Sequence, residues 1–420
     1  MGTSPLRTAS KSLKILFKTF PGLQNYRAPS FTTIKRWAQK IGYYKLKRVK
    51  EIANDWMLII DASIQMGEKK CVVILGCRKS KLPKNYPLTL EDLEVLSLVV
   101  VPKLNGEVIY NMLTDLKLSI GEIAGICSDR GSDILFGVKQ FQITNPKTRH
   151  ICDTAHYVSN LLKAALEKSP RWKTFRDQIT LARRKMQNSK ISGALPPSPR
   201  TKARYMNIDS LLKWAVDMLV LLDQGVSNPD FEITELKKYL GWLLLYREDI
   251  THWNRISYVG VVARQIVRVE GIHKNIMESF EKSISSIKLS VREVQFANQL
   301  AEFLQNQSNG MQISECFIGS TEVLESLFGK IKYMEREQRA FGFTSLLLAA
   351  IASVGPLDDD TIIKAVQTVK LSEIANWSTT EIGQSVQSQR RQIKKIVASI
   401  TTKIKKVGQE FTGIFCVKVA

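Results

Sequence analysis

Apolar and polar positions change period along this chain, and the changes divide it. Between residues 55 and 103 the apolar residues come in short continuous runs: "WMLIIDAS" (56–63), "KKCVVILGCRK" (69–79) and "LSLVVVPK" (96–103). Runs of that length, rich in Val and Ile and joined by few residues, predict three strands of an antiparallel meander. "GEVIYNMLTDLKLSIG" (106–121) then repeats every three to four residues, with Val108, Met112 and Leu116 beside Ile109 and Leu113. That spacing predicts a helix. "IAGICSD" reads as a short buried strand ending at Asp129, "GSDILFGVKQFQITN" as a helix and loop, and "TRHICDTAHYVSNLLKAALEKS" as a strand leading into a helix.

The order is β-β-β-α-β-α-β-α. Three antiparallel strands followed by strands reached through helical crossovers predict an α/β fold with a mixed sheet and helices packed on it, the ribonuclease-H-like order. From 166 to about 315 the period is helical throughout, as in "MNIDSLLKWAVDMLVLLDQG" and "SVREVQFANQLAEFLQNQ". Only "GALPPSPRTK" (193–202) stands out as a loop. "STEVLESLFGKIKYMEREQRAFGFTSLLLAAIAS" (320–353) then reads as one long helix.

Upstream, Ser30 is placed to cap a helix from about Phe31 to Lys40 that Gly42 would end. Ile34 and Trp37 share one face of it, and Lys35, Arg36 and Lys40 look elsewhere. A short basic helix after a turn suits the DNA major groove; a basic amphipathic linker is the plain alternative. The expected organisation is a basic helical DNA-binding region (1–50), a first core part (51–168), an all-helical insertion (169–315), a second core part carrying a glutamate helix (316–355) and a basic helical tail (356–420).

Charge sharpens this division. The formal net charge is +22. Residues 1–50 hold 12 Lys and Arg and no acid. Residues 171–204 net +9 and residues 361–420 net +7. Basic flanks around a mildly acidic centre suggest a polyanion outside and a metal inside. The six cysteines form no CxxC pair and have no zinc-ligand spacing to a histidine. They read as small buried hydrophobes in a reducing compartment rather than as a disulfide framework. No apolar run is long enough for a membrane span, and no secretory signal opens the chain. A cytoplasmic location, on the nucleoid if the host is prokaryotic, is the expectation.

Asp61 and Asp129 each close an apolar strand, at the end where α/β folds place their chemistry. Either alone would pass for a turn residue. In the order above, the first and fourth strands are neighbours, so the two carboxylates meet. They would repel unless a cation lay between them. Mg²⁺ takes hard oxygen ligands and leaves positions open for phosphate. Two such ions, about 3.5–4 Å apart, stabilise both the attacking and the leaving oxygen of a phosphodiester. A third carboxylate is needed, and the glutamate helix after the insertion carries Glu322 and Glu325.

On these residues the sequence resembles the DDE transposases and integrases of the ribonuclease-H-like (retroviral integrase) superfamily, in the bacterial insertion-sequence form with a helical insertion. "LIIDAS" matches the first aspartate, "ICSDRGSDI" the second, and "CDTAH" a C/D-x-x-H signature containing Asp153 and His156. The resemblance implies an enzyme that binds element ends and catalyses DNA cleavage and strand transfer. It implies two Mg²⁺ ions, with Mn²⁺ substituting, on Asp61, Asp129 and Glu325. It also implies His156 at the scissile phosphate, double-stranded DNA as partner for both ends and target, and a homodimer or higher oligomer on DNA.

Relatives often carry a basic residue two turns beyond the catalytic glutamate. Lys332 lies seven residues after Glu325 and shares its face, whereas seven beyond Glu322 is Gly329. Glu325 is therefore preferred, with Glu322 as fallback. Asp133 is the fallback for Asp129, though its place suits a helix cap, and Asp153 is a further fallback carboxylate. His156 reads equally as a packed core histidine. Trp253, in "DITHWNRIS", is a candidate to stack on a DNA base, with a structural role as its alternative. Two other functions stay open: a domesticated DNA-binding protein that no longer cuts, and a nuclease of the same fold without strand transfer.

Overall fold

The computed structural model describes residues 5–66, 69–82, 87–197, 208–224, 233–336, 343–384 and 388–401. Two helices, α1 (Leu6–Thr19) and α2 (Phe31–Lys47), precede the sheet. The sheet contains β1 (Ala53–Met66), β2 (Lys69–Arg78), β3 (Glu94–Val101), β4 (Gly121–Ser128) and β5 (Arg149–Cys152), in the order β3-β2-β1-β4-β5. β1–β2 and β2–β3 are antiparallel, and β1–β4 and β4–β5 are parallel. The parallel pairs need crossovers, which α3 (Gly106–Ile120) and α4 (Ser132–Thr144) supply.

Every strand residue from Trp56 to Ile60 is fully buried, because both faces of the sheet are covered. Trp56, Leu58 and Ile60 join Ile109 and Leu113 of α3 and Val138 and Phe141 of α4. Met57 and Ile59 belong to the opposite core, with Val158 and Leu162 of α5 (Thr154–Glu167) and Leu324 and Phe328 of α12 (Glu322–Arg336). Strand alternation puts Asp61 in the same phase as Met57 and Ile59.

Between α5 and α12 the chain is a helical block: α6 (Pro170–Met186), α7 (Ile208–Gln224), α8 (Ile233–Leu240), α9 (Arg247–Glu270), α10 (Ile276–Ile284) and α11 (Val291–Ser308). A two-residue antiparallel pair, β6 (Ile272–His273) with β7 (Cys316–Phe317), returns the chain toward the sheet. The long helix expected over 320–353 is not continuous. α12 ends at Arg336, and α13 (Leu346–Ile351) starts a new helix whose entry is fixed by Glu335, which accepts from the Thr344 N–H (2.9 Å) and hydroxyl (3.0 Å). α14 (Asp359–Thr368) and α15 (Leu371–Trp377) pack on α2, and a further helix, α16, spans residues 388–401. The segment after 355 therefore begins inside the packed body rather than as a separate tail. No helix among the described residues is long and apolar enough to cross a membrane.

α2 departs furthest from its sequence reading. Ser30 caps it as expected, its hydroxyl accepting from the Thr33 N–H at 3.2 Å. The helix then runs through Gly42 to Lys47. Gly42 is a crossing point, not a stop: a Cβ there would lie 1.8 Å from the Leu348 carbonyl oxygen of α13. The buried face is Ala38, Gln39, Ile41, Gly42 and Lys45, while Trp37 is 42% exposed. Lys45 is buried, and its Nζ donates to the carbonyls of Ala352 (3.1 Å), Val354 (2.7 Å) and Gly355 (3.1 Å), closing the C-terminal end of α13. Burial, then the nearby Arg48, lowers its pKa to about 8.

Lys45→Met should therefore cost about 2–4 kcal/mol in urea unfolding, because it strands three buried carbonyls. Lys47→Met, on the exposed face, should change stability by less than about 0.5 kcal/mol.

Candidate active site

The site is assembled at the ends of β1, β4 and β5. Ile60 pairs with Ser128 across the parallel β1–β4 ladder, so Asp61 and Asp129 follow from adjacent strands. The Asp153 N–H donates to the Ser128 carbonyl (2.8 Å), bringing the end of β5 against the end of β4.

Asp61 is buried, at 4% exposure, and its Oδ1 accepts from the Ala62 N–H at 2.6 Å. Burial and then the charge of Asp129 raise its pKa to about 7, against the opposing effects of the Ala62 N–H and His156. Asp129 is half-buried, and its Oδ1 accepts from the Gly131 N–H at 3.0 Å. A Cβ at position 131 would lie 2.9 Å from that oxygen, so the glycine gives the carboxylate its room. Asp133 lies in the first turn of α4 and approaches Lys70 at 4.0 Å; the residue before the helix is Gly131, so Asp133 is not its cap.

Asp153 is a clasp. It is 1% exposed. Its Oδ1 accepts from the Ala155 N–H (2.8 Å), capping α5. Its Oδ2 meets both the Nδ1 of His156 and the hydroxyl of Thr321, each at 2.6 Å. Thr321 is fully buried and directly precedes α12. The Thr154 N–H, donating to the Gly319 carbonyl at 3.0 Å, adds a second tie. With those partners Asp153 is occupied as a positioning group.

His156 takes its charge from this arrangement. The Asp153 hydrogen bond, aided by the charges of Asp153, Asp129 and Asp61, raises its pKa to about 9 against burial. The ring is an imidazolium at neutral pH, with Nδ1 committed to Asp153. On β5, His150 Nε2 lies 2.9 Å from the Ser128 hydroxyl. Burial, together with Lys139 and Arg130, lowers His150 to about 4, so that ring is neutral.

The two glutamates of α12 face different surroundings. Burial raises the pKa of Glu325; His156 and Lys332 oppose this, and Asp153 and Glu322 add to it. Glu325 thus shares its field with the aspartate and histidine cluster and with the lysine two turns on. Glu322, Ser326 and Lys330 instead line a cavity of about 540 Å³ with Arg268, Glu270 and Ser353. Lys330 Nζ donates to the Ser353 hydroxyl there at 3.2 Å.

The donor chemistry of Asp61, Asp129 and Glu325 suits a hard cation: all are carboxylates, and two aspartates sharing one crevice disfavour each other's charge unless a cation offsets it. Among the described residues, however, no three His, Cys, Asp or Glu side chains converge closely enough to hold a metal ion.

Other candidates fall away from the site. Trp253 is 3% exposed and stands edge-on to Trp172 (4.8 Å between centroids) and Phe175 (5.1 Å) in the core of the helical block. It has no ring face to offer a base. Lys40 is spent on the Val366 carbonyl at 2.7 Å, and Lys35 lies in the field of the buried Glu335. Of Lys35, Arg36 and Lys40, only Arg36 is exposed. Thr321 was missed from sequence because Ser or Thr before a helix reads as a local cap, whereas this hydroxyl reaches a residue 168 positions away.

The charges of Asp61 and His156 give opposite pH signatures. Asp61 has a folded pKa above its unfolded value, so it favours folding below about pH 4 and progressively less as pH rises toward 7. Asp61→Asn should therefore stabilise the protein at pH 8, on the order of 4 kcal/mol at most, and much less at pH 4. The raised His156 contributes fully below about pH 6.5 and is lost as pH rises through 9, so His156→Gln should destabilise at pH 6 and differ little at pH 10. Thermal midpoints across that range check both signs.

No protein-family model matches the chain, and no curated protein matches it. Among solved structures it is similar to the Drosophila P element transposase strand transfer complex, with a TM-score of 0.36 and 13% identity over 88% of this chain and 92% of that one. At that level of likeness nothing about the site is taken from it.

Proposed function

We propose that this protein is a DNA transposase of the DDE type, built on a ribonuclease-H-like core, that cleaves element ends and transfers the cut strand. The observation that supports it most is the meeting of Asp61 and Asp129 at the ends of adjacent parallel strands, with Glu325 brought into the field of the same histidine by a helix that follows a long insertion. Asp61, Asp129 and Glu325 would hold Mg²⁺, or Mn²⁺ in its place. When bound, such a pair of ions supplies Lewis-acid activation of the nucleophile and charge stabilisation at the phosphate.

The chain's own residues have separate tasks. Asp153 holds the His156 ring through Nδ1, and its Nε2–H would donate to a phosphate oxygen. Lys332 gives a second positive charge on the Glu325 face of α12. The basic N-terminal region contributes phosphate contacts, with Arg36 an exposed cation of α2, and the net charge of +22 makes DNA affinity fall steeply with salt. Transposases that pair two ends work as dimers or larger assemblies, and the same is proposed here.

The lack of a closely converging ligand trio favours one other reading, a DNA-binding protein of this fold that no longer cuts. The deciding assay uses purified full-length protein, a plasmid carrying the DNA that flanks the gene, and Mg²⁺ or Mn²⁺. Wild type should nick and join DNA, and Asp61→Asn, Asp129→Asn and Glu325→Gln should each lower cleavage at least about 100-fold. Glu322→Gln should stay within a few-fold of wild type. Wild type cutting no better than Asp61→Asn sinks the enzyme, and cut products never joined to target leave a nuclease. Loss with Glu322→Gln but not with Glu325→Gln reverses the glutamate assignment alone.

A further inference from the structure

Between α1 and the start of α2 lies a recess of about 1030 Å³. Lys14, Phe17 and Lys18, three and four residues apart, line it from one face of α1. Tyr26 and Arg27 line it from the connecting turn, and Trp37 from α2. Its walls are tied to one another. The Ser10 hydroxyl donates to the Pro29 carbonyl at 2.9 Å, and the Gln24 side-chain amide donates to the Lys18 carbonyl at 3.3 Å. The Arg7 guanidinium lies 4.8 Å from the centre of the Phe31 ring, which links the two helices again.

Tyr26 is 67% exposed and Trp37 42%. Among the described residues neither side chain makes a hydrogen bond or a ring contact, and Lys14, Lys18 and Arg27 form no ion pair or side-chain hydrogen bond. No neighbour in sequence could neutralise them, since residues 1–50 contain no acid. Large rings normally bury their faces, and cations this close repel unless an anion joins them. Bare rings beside unpaired cations match the two halves of a nucleotide, whose base offers a π face and whose phosphate offers negative charge.

We propose that this recess binds single-stranded DNA, an unpaired base stacking on Trp37 or Tyr26 while the flanking phosphates meet Lys14, Lys18 and Arg27. Base pairing decides between a single strand and a duplex. In a duplex the bases stack on one another, and only their edges reach the grooves. A duplex would meet the three cations and leave both rings in water, whereas an unpaired base covers them. A lipid surface fits less well: an interfacial helix presents an outward apolar face, and here rings and cations line a common hollow. The inference rests on DNA as the substrate of the proposed transposase and adds a place for its unpaired nucleotides. Its test is binding alone, so it can fail while cleavage stands.

The measurement is fluorescence anisotropy of full-length protein with a labelled oligothymidine of about 12 nucleotides, against an abasic strand of the same length and charge. Wild type should bind the oligothymidine roughly 10-fold or more tightly than the abasic strand. Trp37→Ala with Tyr26→Ala should erase that preference and leave the abasic strand and a duplex bound as before. The unchanged duplex shows that the variant is folded. Trp37→Phe, which keeps a ring, should retain most of the preference. Replacing Lys14, Lys18 and Arg27 together by Gln should weaken both strands alike and reduce the salt slope by about 2. Equal affinity of wild type for the two strands overturns the proposal, and so does a preference that survives the loss of both rings. Oligouridine bound roughly 10-fold more tightly than oligothymidine overturns it in favour of RNA. Loss of phosphatidylserine-vesicle binding by the double variant, with the strand preference intact, overturns it in favour of a lipid surface. No affinity for any DNA sinks the proposed function as well.

Discussion

The rest of the site depends on one buried carboxylate. Asp153 is removed from water, and an isolated buried charge is costly unless its oxygens are met by donors. Here the donors come from three places: the first turn of α5, the ring of His156 and the hydroxyl of Thr321. Satisfying one charge therefore fixes the start of one helix, the orientation of the histidine and the start of α12. Because α12 arrives after the whole helical block, its attachment cannot be local. The Thr321–Asp153 contact and the Thr154–Gly319 backbone bond make it.

The electrostatics follow from that geometry. Asp61 feels the charges of Asp129 and Asp153, and Glu325 feels that of Asp153, in a protein that is otherwise strongly basic. Asp61 responds by holding its proton more tightly, and His156 by holding its own more tightly still. Burial is the larger cause at Asp61, with the charge of Asp129 added to it, whereas at His156 the hydrogen bond to Asp153 and the neighbouring carboxylates outweigh burial.

The helical layer around the sheet has a second, quieter logic. α2 begins as a basic helix and ends inside the body, crossing α13 so closely that only glycine fits at position 42, and Lys45 spends its charge on carbonyls rather than on DNA. The same economy governs Trp253, which fills the centre of the helical block against Trp172 and Phe175. Residues with the chemistry of nucleic-acid contacts serve here as packing, and burial separates the two uses.

How much of this was legible depends on range. The strands, their order and the cap at Ser30 were readable because strand period, crossover length and capping are local properties. Asp61 and Asp129 could be placed side by side because sheet order follows from the succession of elements. The seven-residue face shared by Glu325 and Lys332 was likewise a local consequence of helix geometry. What the sequence could not show is which surfaces meet. The break between α12 and α13, the turn of α2 into the core, the burial of Trp253 and the grip of Asp153 on Thr321 all depend on contacts between residues far apart in the chain. By itself, then, the sequence determined the elements, their order and the types of side chain available to the chemistry. Only tertiary packing decided which of those side chains are spent on holding the fold and which remain in the crevice, because burial is a property of neighbours that no local pattern contains.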